Sequence, residues 1–386
     1  MAIQFEFLTA GRILFGVGSK ERLPQLAAAY GRRALVIHGV GIAEAAPILE
    51  QLKIHRIEYG LYAVHGEPTV SMIKTALQRA RTFNPDLLIG LGGGSAIDAA
   101  KAIAALYTNP GAPLDYLEVI GKGRPLEQKP LPLIAVPTTA GTGSEATKNA
   151  VLRSEEHGVK VSLRHDWLLP VAAVVDPALT LTLPATVTAY TGMDALTQLI
   201  EPMVSLRANP FIDAICRAGL NGAMDALRRA VADGADFEAR EKMSFAALCG
   251  GIALANAGLG AVHGLAGVIG GLFDAPHGAV CARLLPLVME ANLHALKERA
   301  PDSPALAKYR EIAVLLTSNP NAAAEDGCTA VNKLCGDLDI PKLSTFGMQI
   351  EQIPSVVAQA QKASSMKTNP IVLTEQELAD ILIRAL

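Results

Sequence analysis

Short, uninterrupted apolar runs recur through the first half of the chain, and each ends on a small or turn-forming residue. Residues 33–38 run into Gly39, and residues 86–90 run into a glycine cluster; 131–136 and 171–175 have the same character. A run with no polar alternation predicts a strand buried on both faces, as in a parallel sheet. Helical spacing over 20–30, 43–52, 70–83 and 96–106 alternates with these runs and with a further strand at 54–62. Such alternation predicts a parallel sheet with helices on both faces. The opening segment 5–18 alternates around Ala10-Gly11, which predicts a hairpin.

Beyond Asp176-Pro177 the pattern changes. Strand-like runs give way to helical spacing over 186–206, 211–232, 239–257, 280–295, 305–316, 322–334, 350–364 and 374–386. The chain therefore divides near residue 180, with an α/β domain over 1–180 and an all-helical domain over 181–386.

Composition narrows the partners. With 386 residues, half of them hydrophobic and 18% charged, the chain is long enough for two full cores. A net charge of −3 without a basic block gives no sign of nucleic-acid binding. From Ser244 to Phe273 no acidic or basic residue occurs apart from His263, a run long enough to cross a bilayer. It is crowded with glycine and alanine and interrupted by Asn256, Gly258 and Gly260, so buried helices explain it better and no membrane association is expected. The N-terminus lacks a basic start followed by an apolar run, so no signal peptide is expected. Five cysteines without a CxxC pair point to reduced thiols and a cytoplasmic protein. The apolar surplus and the opening segment suit a subunit interface, so a homodimer or larger homo-oligomer is expected.

Four stretches carry chemistry. Gly90 to Lys101 leads from a strand into a helix, so unpaired backbone N–H groups and the positive helix end face whatever lies over the glycines. A pyrophosphate suits that place, although glycines at 90, 92, 93 and 94 do not fit GxGxxG; a tight turn without ligand is the other reading. Pro137 to Glu145 puts hydroxyls at the carboxyl end of a second strand, where open α/β sheets bind ligands, unless those hydroxyls only bond their own backbone. Asp194 and Gln198 share one face of an apolar helix, and His263 and His277 lie in apolar surroundings. Alone, each reads as a capped or paired core residue. Together, one carboxylate and two imidazoles make a donor set for Zn²⁺ or Fe²⁺ with an open position.

Gly92 to Lys101, Pro137 to Glu145, Asp176-Pro177, Gly192 to Leu196, Gly258 to His263 and Gly270 to Gly278 together resemble the iron-containing (group III) alcohol dehydrogenases, over a span from about residue 5 to Thr368-Asn369-Pro370 and the last helix. The resemblance implies a dehydroquinate synthase-like architecture: an α/β dinucleotide-binding domain, an all-α domain and a metal in the cleft between them. It further implies hydride transfer between NAD(P) and a small, weakly charged alcohol or aldehyde. By position, Gly93, Gly94 and Ser95 match pyrophosphate binders with Asp98 nearby. Thr138, Thr139 and Thr142 match the nicotinamide side, and Val151, Lys160 and Leu179 complete the groove. Asp194, His263 and His277 match metal ligands.

The pattern departs from the family at three places. Where iron-dependent members carry a fourth ligand, histidine, this chain has Gln198, and an amide oxygen is a weaker ligand than imidazole. Glycerol dehydrogenases, which hold zinc with one aspartate and two histidines, resemble this arrangement more closely. The resemblance thus implies a three-ligand site, zinc ahead of iron, with Gln198 adjacent but not coordinating. Gly267 replaces a histidine associated with proton relay, so no catalytic acid or base is assigned. Gly39 replaces the aspartate of NAD-preferring relatives, which removes a charge that would repel a 2′-phosphate, so NADP(H) is expected to be tolerated. Two other readings stand beside the dehydrogenase: a dehydroquinate synthase-like lyase and cyclase, and a nucleotide-binding relative with a degenerate metal site.

Overall fold

The computed structural model describes residues 4–386; residues 1–3, the start of the N-terminus for which no signal peptide is expected, lie outside the described residues. The strands are β1 Ile13–Phe15, β2 Arg33–His38, β3 Glu58–Ala63, β4 Leu87–Gly92, β5 Leu133–Pro137, β6 Asn149–Ser154, β7 Val159–Arg164 and β8 Ala172–Val175. Six of them form one sheet in the order β1-β8-β5-β4-β2-β3, and every pairing in it is parallel. Helices Ile42–Ile54, Val70–Phe83 and Gly94–Thr108 make the crossovers among β2, β3, β4 and β5.

The apolar runs have a direct structural cause. Leu35 and Ile37 of β2 feed a core with Ala99 and Ile103, whereas Ala34 and Val36 feed the opposite core with Leu49 and Leu52. Each fully buried Leu, Ile or Val contributes about 1.5–3 kcal/mol relative to exposure. Both faces of the strand are therefore apolar, and no alternation survives in the sequence.

Three local expectations are corrected. Residues 5–18 form no hairpin; β1 instead lies parallel to β8, with Ile13 opposite Ala173. Gly11 N donates to Pro170 O, and a side chain at Gly11 would meet Val171 O at 2.9 Å, so the segment passes too close to the β8 entry to fold back on itself. The strand expected from residue 54 starts at Glu58, because the preceding helix runs through Ile54 and Arg56 turns the chain at φ 60°. The helix expected over 211–232 is two, Pro210–Leu220 and Ala223–Ala232, separated at Gly222, whose φ of 72° only glycine adopts freely. An antiparallel hairpin, β6–β7, was not anticipated.

The chain forms two compact units. One comprises Leu8–Thr139 and Gly143–Leu181; the other comprises Thr182–Leu386 with Ala140–Thr142 and the described residues before Leu8. The second unit is helical. The uncharged stretch becomes helices Phe237–Ala257 and Ala261–Leu272, bent by 101° at Gly258, which has φ 74°. His277–Arg299 is long and apolar enough to cross a membrane and is mostly buried.

Candidate metal and cofactor sites

In the α/β unit, β4 ends at Gly92 and the helix Gly94–Thr108 begins after Gly93 as its cap. Ala96 N and Ile97 N return to Gly93 O, so the N–H groups of Gly94 and Ser95 lie in the unpaired first turn at the positive helix end. A side chain at Gly92 would meet Gly39 N at 2.9 Å, and one at Gly93 would meet Thr139 Cγ2 at 3.1 Å. The turn is thus hemmed in by the end of β2 and by the loop after β5. Gly39, Gly93, Gly94, Ser95, Thr138 and Thr139 therefore share the carboxyl edge of the sheet, Thr138 with its N–H on Gly92 O.

The remaining expected cofactor residues are placed less openly. Asp98 Oδ1 accepts from Ser144 Oγ at 2.5 Å and its Oδ2 from Val151 N at 3.0 Å, so both oxygens brace β6 and the loop after β5. Lys160, on β7, pairs with Glu67. Leu179 is half-buried in the turn Pro177–Thr180, which Asp176 Oδ1 caps through Ala178 N at 3.1 Å. Thr142 belongs to the other unit.

Within the helical unit, Asp194 sits at the middle of helix Ala185–Val204 and is only 2% exposed. Gln198, one turn on, donates through Nε2 to Asp194 Oδ2 at 2.9 Å and to Gly141 O at 3.2 Å. Gln198 thus holds the aspartate's rotamer. Asp194 Oδ1 has no hydrogen-bond partner among the described residues, and His263 Nε2 and His277 Nε2 stand 3.4 and 3.8 Å from it.

His263 belongs to the first turn of Ala261–Leu272. Glu201 reaches that turn from helix Ala185–Val204, accepting from Val262 N at 2.7 Å and contacting His263 Nδ1 at 2.6 Å. A carboxylate only accepts, so Nδ1 carries a proton, and in the neutral ring Nε2 is the nitrogen with the lone pair. Asn369 Oδ1 accepts from Ala261 N at 3.1 Å, and a side chain at Gly260 would meet both Asn369 Oδ1 and Glu201 Oε1 at 2.8 Å. The helix start is fixed by side chains from outside it.

His277 opens helix His277–Arg299, after Asp274 in the left-handed region (φ 51°) and Pro276 as the cap. A side chain at Gly278 would lie 2.3 Å from Tyr190 O, so this helix start presses on the turn before Asp194. One turn further, Cys281 Sγ lies 3.6 Å from His277 Nε2. One donor atom each from Asp194, His263, His277 and Cys281 all lie within 4.8 Å of one another.

The charges of the cluster respond to one another. Burial pushes the Asp194 carboxyl up, but the two histidines outweigh it and hold it below the ordinary value. Burial pushes His263 down, yet Cys281 and Glu201 raise it well above 6.5. Cys281 is lowered, because His277 and His263 overcome its burial. The thiols of Cys249, Cys328 and Cys335 are instead pushed up to about 12 by burial. A buried carboxylate oxygen without a donor is costly unless a cation meets it. Asp194 Oδ1 faces two imidazole nitrogens, so Asp194, His263 and His277 fit a divalent cation. Sequence reasoning assigned no role to Glu201 or Cys281. Their spacing carried the only sign: Glu201 is seven residues after Asp194 and Cys281 four after His277, each on the same helix face as its partner. Gly267, one turn after His263, has open space where a side chain would project.

Two family models match the chain: "Iron-containing alcohol dehydrogenase" over residues 10–177 and "Fe-containing alcohol dehydrogenase family, C-terminal" over residues 188–386. The chain is 35% identical to the 1,3-propanediol dehydrogenase of Klebsiella pneumoniae, over 92% of each chain. It is 37% identical to long-chain-alcohol dehydrogenase 1 of Geobacillus thermodenitrificans, over 83% of this chain and 81% of the relative. Among solved structures, a 1,3-propanediol oxidoreductase superposes with a TM-score of 0.92 at 32% identity, covering 100% of both chains.

Proposed function

Because this chain belongs to the iron-containing alcohol dehydrogenase family, we propose that it interconverts a small, weakly charged alcohol and its aldehyde with NAD(P), using a divalent cation held by Asp194, His263 and His277. The observation that carries the metal is the buried, unpartnered Asp194 Oδ1 beside two histidine Nε2 atoms. Relatives named as alcohol and propanediol dehydrogenases support the oxidoreductase reading, and nothing in them favours the lyase and cyclase alternative. The absence of acidic and basic residues other than His263 from Ser244 to Phe273 supports a weakly charged substrate.

When bound, the cation supplies Lewis-acid polarisation of the substrate oxygen and the nicotinamide supplies hydride chemistry. The chain's own groups do the rest. Glu201 fixes the His263 tautomer, and Gln198 fixes Asp194 so that Oδ1 remains free for the cation. Gly93, Gly94 and Ser95 offer N–H groups to a pyrophosphate. Thr138, Thr139 and Thr142 supply hydroxyls for the nicotinamide side, with Val151, Lys160 and Leu179 along the groove. Gly39 puts no acid at the end of β2, which supports use of NADP(H) as well as NAD(H). Glycine at 267 carries no proton, so a proton at the substrate oxygen passes through water, a cofactor hydroxyl or another residue.

We favour zinc over iron for this chain, against the family's name, because Gln198 turns its nitrogen rather than its oxygen to the site and leaves three of the usual donors. Five buried, unpaired thiols support a cytoplasmic address. The stacked Phe5 and Phe211, both exposed, support burial in a homo-oligomer. The test is metal analysis of chelator-free protein and a steady-state screen of short aldehydes and diols with NADH and NADPH, with zinc or iron added. Turnover that depends on metal supports the reading. Iron as the co-purifying metal overturns the preference for zinc, and metal-independent inactivity on every pair overturns the reading.

A further inference from the structure

We infer that Cys281 is a protein donor to the same cation, so that this chain holds its metal with Asp194, His263, His277 and Cys281. The inference rests on the three-residue site proposed above and adds a sulfur to it, so that a substrate oxygen would enter as a fifth donor, an expansion zinc allows.

The nearest alternative donor is Gln198, whose Oε1, like Asp194 Oδ1, has no hydrogen-bond partner among the described residues. Gln198 Nε2 donates to two acceptors, Asp194 Oδ2 and Gly141 O. Turning the amide to present Oε1 would set an oxygen against both and break both bonds, so the amide orientation is fixed by its partners. The Gln198 nitrogen is thereby committed to positioning Asp194.

The polar contact of Cys281 lies within the cluster itself, at His277 Nε2. It lies four residues after His277 on one helix face, so a single helix offers two donors. Bonds of about 2.0–2.3 Å at tetrahedral angles require donor-to-donor edges of about 3.3–3.8 Å. Of the six edges, three are 3.4 Å from His263 Nε2 to Asp194 Oδ1, 3.8 Å from His277 Nε2 to Asp194 Oδ1 and 3.6 Å from His277 Nε2 to Cys281 Sγ, and the other three are within 4.8 Å. The sulfur therefore stands where a ligand would, and the unpartnered Asp194 Oδ1 points into the same space. The charges agree. Among the groups that touch the cation directly, one carboxylate, one thiolate and two neutral imidazoles cancel its charge, while the Glu201 carboxylate lies one ring further out, on His263 Nδ1. A thiolate also selects zinc over harder competitors.

The test is X-ray absorption at the zinc edge on the purified full chain loaded with one zinc, with a cobalt-substituted sample for optical spectra. The expected result is one sulfur scatterer at about 2.3 Å and a thiolate-to-cobalt charge-transfer band in the near ultraviolet. Cys281→Ser should lose both and weaken zinc binding more than a hundredfold, beyond the ~10–100-fold that loss of an outer partner gives. Cys328→Ala, a control away from the site, should keep both. Stoichiometric zinc with only nitrogen and oxygen neighbours in the wild type overturns the inference and leaves the three-residue site standing. A wild-type chain that binds no zinc, iron or cobalt overturns the site and the inference together. The wild-type spectrum decides between these even if Cys281→Ser folds poorly.

Discussion

Glu201 Oε2 lies 2.6 Å from His263 Nδ1, and the same carboxylate accepts from Val262 N at 2.7 Å. One buried acid thus orients a ligand ring and caps the helix that carries it. Glu201→Gln retains a single acceptor oxygen for two donors and sets an NH2 group against one of them. Loss of such an outer partner lowers metal affinity about 10–100-fold. Chelator competition checks this, and an unchanged affinity would show that Glu201 positions nothing.

The raised His263 value makes metal binding compete with a proton. In the metal-free chain the folded value is above 6.5, so the stabilisation from protonated His263 is fully present below 6.5 and is lost as pH rises through the folded value. Metal needs the neutral ring and reverses that trend. Zinc affinity is therefore expected to fall as the solution is acidified through neutrality, with protons released on binding. Calorimetry in buffers of different ionisation enthalpy measures the released protons, and a pH-independent affinity with no release would contradict the assignment.

Gly278 tests how the ligand helices are held together. A Cβ there would lie 2.3 Å from Tyr190 O, a backbone atom that cannot swing aside. Gly278→Ala is expected to cost about 1–3 kcal/mol as overpacking and to move His277 away from Asp194. A drop in Tm together with a loss of bound metal is the expected pair. A lower Tm with full metal content would mean that the helix start yields without disturbing the site.

Glu145 gives the α/β unit a pH signature of its own. Burial raises its carboxyl from 4.5 to about 7. The folded state then binds the extra proton, so stability is fully present below 4.5 and falls as pH rises to about 7, by on the order of 3 kcal/mol. Glu145→Gln should flatten this part of the profile in denaturant titrations. A variant that keeps the wild-type slope would assign the effect elsewhere.

What could be read in the sequence follows from how local its cause is. β2 and β4 were legible because both faces of each strand are buried, which leaves an apolar run. β1 was misread because its partner β8 is far away in the chain, and no local pattern distinguishes that pairing from a hairpin. β6 and β7 carried a period-two pattern, but Arg153, Lys160 and Arg164 broke the apolar runs that marked the other strands. In the metal cluster, Asp194, His263 and His277 stood out as polar groups in apolar helices. The parts taken by Glu201 and Cys281 depend on which helix starts meet helix Ala185–Val204, and that is a property of packing.

Gly39 is where cofactor choice can be moved by one charge. It follows β2 at the sheet edge, is exposed, and bonds through its N–H to Leu91 O at 3.0 Å. Its φ is not positive, so a side chain is allowed by the backbone. The added Cβ would meet Ala96 Cβ at 3.3 Å, a contact that small shifts relieve. An acid there would accept from ribose hydroxyls and repel a 2′-phosphate. Wild-type protein is thus expected to favour NADH over NADPH by less than about a hundredfold, or ~3 kcal/mol. Gly39→Asp should lower kcat/KM with NADPH by about 10–100-fold relative to NADH, equivalent to ~1.4–3 kcal/mol. Gly39→Ala separates charge from bulk, because it adds the same Cβ and should lower both cofactors alike. If the alanine variant reproduces the discrimination of the aspartate variant, steric contact with Ala96 sets cofactor choice and the missing acid does not.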